Sequence, residues 1–172
     1  MTTPSNPLYR EIPLSQGQVA LVSAHRFEEL NSSKWCAMFE LCTKSFYAVR
    51  KVKRSDGKKR LLRMNRYILG LDFGDKRQGD HVNHDTLDNR DENLRICTPS
   101  ENLCNKGITQ RNTSGFKGVY WSKQKGKWHA RIGLNGKKIN LGFFSNPEDA
   151  YKAYCAAAKE VHGEFAQFEA TR

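Results

Sequence analysis

From Asp80 to Asn105 the chain reads DHVNHDTLDNRDENLRICTPSENLCN, and this stretch limits the possible fold more than any other. It leaves room for two short strands, one ending near His81 and one at Leu94-Arg95-Ile96, with a polar loop between them. A helix is predicted from Pro99 to about Lys106. Thr98 suits its N-cap, Pro99 its first position and Glu101 its first turn. Two strands and one helix bury too little apolar surface to stand alone, so this unit needs support from a metal or from the N-terminal segment. Neighbours on a regular strand point to opposite faces. Asp80 and His81 can therefore share a site only where the strand ends or bends, which places them at a strand-to-loop junction.

The residue types suit metal-assisted cleavage of a phosphodiester. A hard divalent cation takes oxygen ligands, and Asp80 and Asn102 can supply them. An attacking water needs a base that titrates near neutral pH, and His81 can be that base. A solvated turn is the ordinary reading of Asp88-Asn89-Arg90-Asp91 alone. It is the ordered set of residues that outweighs that reading. A zinc site from His81, His84, Cys97 and Cys104 is disfavoured, because the Cys97–Cys104 gap is long and His81 would be lost as a base.

These residues resemble the HNH nucleases, especially phage and intron-encoded homing endonucleases with Asp-His at the first motif position. The resemblance implies that Asp80 and Asn102 hold one Mg2+ or Mn2+ ion, that His81 activates water, and that Asn93 orients the histidine. The loop after the histidine usually carries a glycine. His84 stands near that place here, and histidine tolerates a left-handed backbone better than most residues.

Charge points to a polyanionic partner. The chain carries 29 Lys and Arg against 18 Asp and Glu, a net charge of +11. Such a balance attracts nucleic acid. Lys44 to Arg66 holds ten basic residues and one acid, Asp56, while Asn102 to Pro147 holds nine basic residues and no acid. A solvated basic face is the plain alternative for each run. No apolar run approaches the length of a membrane span, and no signal-peptide core is expected at the N-terminus. Five cysteines without close pairing read as reduced thiols of a cytoplasmic protein, in a bacterial host if the chain is phage-encoded.

The expected fold class is α+β, in three segments. Residues 1–65 form a small N-terminal α+β segment. It begins with a loose Pro-containing lead and holds a hairpin, Phe46–Arg50 returning at Lys59–Met64 around Asp56-Gly57. Its candidate DNA contacts are Arg50, Lys51, Lys53 and Arg54. The layout resembles the N-terminal part of phage HNH proteins, where a His often precedes the Arg of Met64-Asn65-Arg66; Asn65 is assigned no catalytic role. Residues 66–107 form the ββα-metal nuclease core. Residues 108–172 form a three-stranded antiparallel sheet packed on one helix, predicted over Pro147–His162 with Asn146 as cap and Gly163 as stop.

Strand alternation in this last segment puts Val119, Trp121, Trp128, Ala130, Ile132, Ile139 and Leu141 against the helix, along a helical stripe of Ala150, Tyr154, Ala157 and Val161. The other face carries Tyr120, Ser122, His129, Arg131, Lys138 and Asn140, with Lys117, Lys125 and Lys127 near the turns. A basic, hydrogen-bonding sheet face suits a major groove. Gly115-Phe116-Lys117-Gly118-Val119, Gly126-Lys127-Trp128, Leu141-Gly142-Phe143-Phe144 and the alanine-rich helix resemble the ethylene-response-factor (APETALA-two) DNA-binding domain. Tyr120 and Ser122 replace two arginines of that pattern. The whole reading is a site-specific homing endonuclease on double-stranded DNA, expected as a monomer, with a dimer needed to cut both strands from one active site per chain. The rival is a DNA-binding regulator with a non-catalytic HNH scaffold.

Overall fold

Short runs of strand-forming residues broken by turn residues become a mixed α+β structure of several small sheets. The computed structural model of the protein describes residues 8–53, 57–105, 108, 112–134 and 136–166. Arg54, Ser55 and Asp56 of the first hairpin, Lys106, Gln110 and Arg111, and Asn135 lie outside the described residues. The chain divides into two units, Met1–Cys97 and Thr98–Arg172.

In the first unit β1 (Tyr9–Pro13) and β2 (Val19–Ser23) form an antiparallel pair. Within the lead expected to be loose, Tyr9–Pro13 is thus a strand, with Pro13 at its end, where a missing N–H is tolerated. A single turn and α1 (Phe27–Asn31) follow. β3 (Cys36–Glu40), β4 (Ser45–Lys53) and β5 (Lys59–Arg63) make an antiparallel sheet, the expected hairpin being its β4–β5 half. Then come α2 (Met64–Ile68), β6 (Gln78–His81), the two-residue β7 (Asp88–Asn89) and β8 (Leu94–Cys97). β6 pairs antiparallel with β8, and β7 pairs parallel with β2.

One core gathers these pieces. Ile12, Ala20, Val22, Leu30, Trp35, Ala48, Met64, Ile68 and Leu94 are buried together. The Trp35 indole N–H donates to Leu30 O at 2.9 Å, so the buried ring leaves no polar atom unsatisfied. Leu94 comes from β8, so the strand bearing Arg95 is fixed by the same core as the N-terminal strands.

The second unit opens with α3 (Pro99–Asn105). Its capping box is complete: Glu101 N–H donates to Thr98 Oγ1 at 3.2 Å, and Thr98 N–H to Glu101 Oε2 at 2.7 Å. β9 (Val119–Ser122), β10 (Lys127–Leu134) and β11 (Lys137–Phe144) form an antiparallel sheet in the order β11-β10-β9. It packs on α4 (Pro147–His162), which starts as expected, with Asp149 N–H donating to Asn146 Oδ1 at 2.8 Å. Ala150, Tyr154 and Ala158 are the buried residues of α4, at i, i+4 and i+8, whereas Ala157 and Val161, expected on the buried stripe, lie partly buried at its margin. Gly118 has φ +74, and a Cβ there would lie 2.1 Å from the Tyr154 ring, so only glycine admits the tyrosine.

The pairing of β10 with β11 slips by one residue between Ala130 and Arg131, leaving Leu141 as a bulge. Beyond the slip Phe144 lies opposite Trp128 and joins the core, while Phe143 lies opposite His129 on the outer face. Trp121 and Ile139, expected inside, are 48% and 39% exposed. Trp121 packs edge-on against Trp128 beside the β9–β10 turn, with ring centroids 5.2 Å apart.

Candidate active site

Asp80 and His81 end β6, where the ladder gives way to loop, as the strand-junction argument requires. α2 supports this end from below. Asn65 is buried and its Nδ2 donates to Gly79 O at 3.1 Å. A Cβ at Gly79 would meet Leu69 Cδ1 at 2.9 Å, so the strand seats closely on the helix. Arg66, the next residue, donates to the carbonyls of Asp72, Asp75 and Arg77 and so ties down the loop that leads into β6.

The imidazole of His81 is buried. Its Nε2 lies 3.4 Å from Asn89 Oδ1, and its ring meets the Tyr47 ring edge-on at 6.3 Å. Asn89 Nδ2 donates to Leu87 O, which turns its oxygen toward the histidine. An Nε2–H donating to that oxygen puts the basic lone pair on Nδ1. Burial pushes the His81 pKa down, against the upward pull of Asn89 and of the Asp80, Asp85 and Asp88 carboxylates. The imidazole is therefore neutral at pH 7, as a general base must be.

The loop after His81 is braced from within. His84 has φ +65, the left-handed conformation expected where a glycine is usual. Asn93 Oδ1 accepts from Asn83 N–H at 2.9 Å, and Asn93 Nδ2 donates to Asp88 O at 2.7 Å. Asn93 thus closes the loop between the histidine and β7. The carboxamide beside the imidazole is that of Asn89, a residue to which the sequence assigned no role. The Arg90 guanidinium grips Asp88 through two bonds of 2.8 and 2.7 Å and holds that carboxyl below the usual range.

Asp80 is buried opposite Arg95 in the β6–β8 register, with Arg95 Nε 2.9 Å from Asp80 Oδ2. Asn102 lies on α3 in the second unit, where its N–H donates to Thr98 O. Among the described residues, no three His, Cys, Asp or Glu side chains converge as a metal-binding group. Cys97 is buried, its Sγ 3.5 Å from Gln78 O.

The candidate DNA contacts fall in two places. On β4, Lys51 and Lys53 are exposed. Arg50 is committed inside the unit: its guanidinium carbon lies 4.9 Å from the Trp35 ring and 4.4 Å from the Tyr67 ring, and Nη1 donates to Ser33 Oγ. In the second unit the outer sheet face brings together Tyr120, His129, Arg131, Lys138 and Asn140. Arg131 lies 4.8 Å over the Tyr120 ring. His129 Nε2 is 2.8 Å from Asn140 Oδ1, and its ring stacks on Phe143 at 4.3 Å. Ser122 Oγ accepts from Lys125 N–H at the β9–β10 turn, next to Lys127. Lys117, Arg131, Lys137, Lys138 and His162 line a concavity of about 330 Å3, with no carboxylate among its described lining residues. Burial lowers the His162 pKa, and the charge of Lys117 adds to that.

Over 87 residues the chain is 32% identical to an uncharacterized HNH endonuclease of Acanthamoeba polyphaga mimivirus, a match covering 51% of this chain and 44% of that protein. The similarity to that HNH endonuclease is distant and covers about half of the chain. More particularly, the chain belongs to the family of Protein 3.8 of Escherichia phage T7, with which it is 35% identical over 89 residues, 52% of this chain and 73% of that protein. No family model matches the chain.

Proposed function

We propose that the protein is a metal-dependent, site-specific DNA endonuclease of the HNH homing type. The observation that carries this reading is the setting of His81: a buried imidazole at a strand end, its pKa pushed down by that burial, with its Nε2 against Asn89 and with Asp80 as its neighbour.

His81 takes a proton from water, which attacks one phosphodiester in line. Asn89 holds the ring, and Asn93 holds the loop that carries Asn89. Asp80, ion-paired with Arg95, would supply one hard oxygen ligand, and the resemblance to HNH nucleases implies Asn102 as another. A Mg2+ or Mn2+ ion held there would supply positive charge to offset the negative charge developing at the phosphate, and the departing 3′ oxygen takes its proton from solvent. The products are a 5′ phosphate and a 3′ hydroxyl. Lys51 and Lys53 of the first unit and the outer sheet face of the second hold the duplex, with Arg131 and Lys138 as the principal cations.

A plasmid cleavage assay with magnesium, followed by end mapping, tests the reading. Cleavage at one site with 5′ phosphate ends is expected. Binding without cleavage in magnesium and in manganese would favour the regulator instead.

A further inference from the structure

We propose that Arg63 is a phosphate-binding residue beside the cleavage centre, presented on a basic strip of β4 and β5 along which the DNA strand to be cut runs up to His81. This rests on the nuclease reading above and extends it to a surface and a residue outside the motif.

Alternation along β4 places Tyr47, Val49, Lys51 and Lys53 on one face. The register sets Arg63 opposite Val49, Leu61 opposite Lys51 and Lys59 opposite Lys53. Lys51, Lys53, Lys59 and Arg63 therefore share that face, and the acid found on β3, β4 and β5 is Glu40 at the end of β3. Same-face neighbours on a strand stand about 6.6–6.8 Å apart, so the cations form a spaced track rather than a single cluster.

The track has a defined end. The guanidinium carbon of Arg63 sits 4.2 Å from the Tyr47 ring, and the Tyr47 ring meets the His81 imidazole edge-on at 6.3 Å. Tyr47 is 9% exposed and acts as a rigid spacer between guanidinium and imidazole. Thr86 Oγ1 donates to Phe46 O at 2.5 Å, which ties the loop after His81 to the start of the same strand. A DNA strand lying on the track reaches His81 by passing Arg63.

Glu40 occupies Arg63 in the meantime, with Oε2 3.0 Å from Nη2. Both side chains are about a third exposed, 36% and 33%. An ion pair at such exposure is weak, whereas a planar guanidinium binds a phosphate through paired charge-assisted bonds. A phosphodiester thus displaces Glu40.

The test uses the full chain and a short mixed-sequence duplex, with binding measured in chelator across a salt series. Arg63→Ala is expected to reduce the log–log salt slope by about 0.9, the loss of one neutralised phosphate. Arg63→Lys should restore the slope, since a phosphate contact of unit charge returns. Glu40→Gln should tighten binding, and this second variant serves if Arg63→Ala melts. In magnesium with saturating DNA, Arg63→Ala should lower turnover, while Lys53→Ala changes KM alone. An unchanged salt slope in folded Arg63→Ala, or unchanged affinity in Glu40→Gln, overturns the proposal. Equal turnover of Arg63→Ala and wild type overturns its place beside His81. If the slope changes as expected but the wild type never cuts in magnesium, the strip stands and the nuclease reading falls.

Discussion

Asp80 and Arg95 face each other across the β6–β8 ladder, Oδ2 to Nε at 2.9 Å, and both are largely withdrawn from solvent. Removing one partner of a buried ion pair typically costs about 3–5 kcal/mol. Asp80→Ala is therefore expected to lower stability as well as activity. Asp80→Asn, which keeps the shape, should abolish cleavage with a smaller loss of melting temperature. Equal melting temperatures for wild type and Asp80→Ala would remove the ion pair from the stability of this unit.

Metal removal separates catalysis from binding more cleanly than either substitution. Excess chelator should stop cleavage and leave most duplex affinity intact, because Lys and Arg supply that affinity. Full cleavage in chelator would return Asp80 and Asn102 to structural roles.

His81→Ala should reduce turnover by about two to four orders of magnitude, the usual contribution of a general base. Affinity for duplex DNA should change little. Parallel gel-shift and single-turnover measurements check the two halves, and near wild-type turnover would reject the base assignment.

The acid limb of the pH–rate profile should lie below pH 6.5, since burial favours the neutral imidazole. Asn89→Leu removes an upward influence on that pKa, so the limb should move lower still. Stability follows the same sign. The unfolded histidine binds its proton near pH 6.5 and the native one only at lower pH. The stabilising contribution is thus complete above about 6.5 and is lost as pH falls toward the native pKa. Melts of wild type and His81→Gln between about pH 7.5 and 5 should converge on acidification.

Asn93→Ala should lower unfolding free energy by about 1–3 kcal/mol, because Asp88 O and Asn83 N–H lose their partner inside the loop. Denaturant melts measure this. No loss would mean that water replaces the amide.

What the sequence disclosed follows the range over which each feature is decided. The Thr98–Glu101 capping box, the Asn146 cap and the left-handed His84 are settled within a few residues, and each is where local chemistry puts it. Tyr9–Pro13 became a strand because a partner at Val19–Ser23 was available, which its own composition does not announce. Phe143 turned outward because a bulge at Leu141 reverses the alternation, and no residue of β11 other than Gly142, with φ +124, hints at that slip. Arg63 entered the neighbourhood of His81 through the β4–β5 register, and Asn89 through closure of the loop by Asn93. Both are pairwise facts that single-residue patterns do not carry.

Gly118→Ala offers a test of packing in the second unit. The added methyl would overlap the Tyr154 ring at a positive φ. A loss of about 1–3 kcal/mol or more is expected from overpacking alone, read as a lower melting temperature in the full chain. A neutral outcome would mean that Tyr154 moves aside at no cost.

The two-residue strand β7 has a consequence for the order in which this protein can become active. It is held by β2, and Asp91 N–H beside it donates to Ser23 Oγ across a separation of 68 residues. Contacts of such long sequence range form late, because a large loop must close before they contribute. A chain emerging from the ribosome can fold its β4–β5 hairpin early, yet Asn89 gains its place beside His81 only after the N-terminal hairpin has come back to meet it. Trimming the first 23 residues should therefore silence His81 without touching it, and refolding should recover native melting behaviour and cleavage together, never cleavage first.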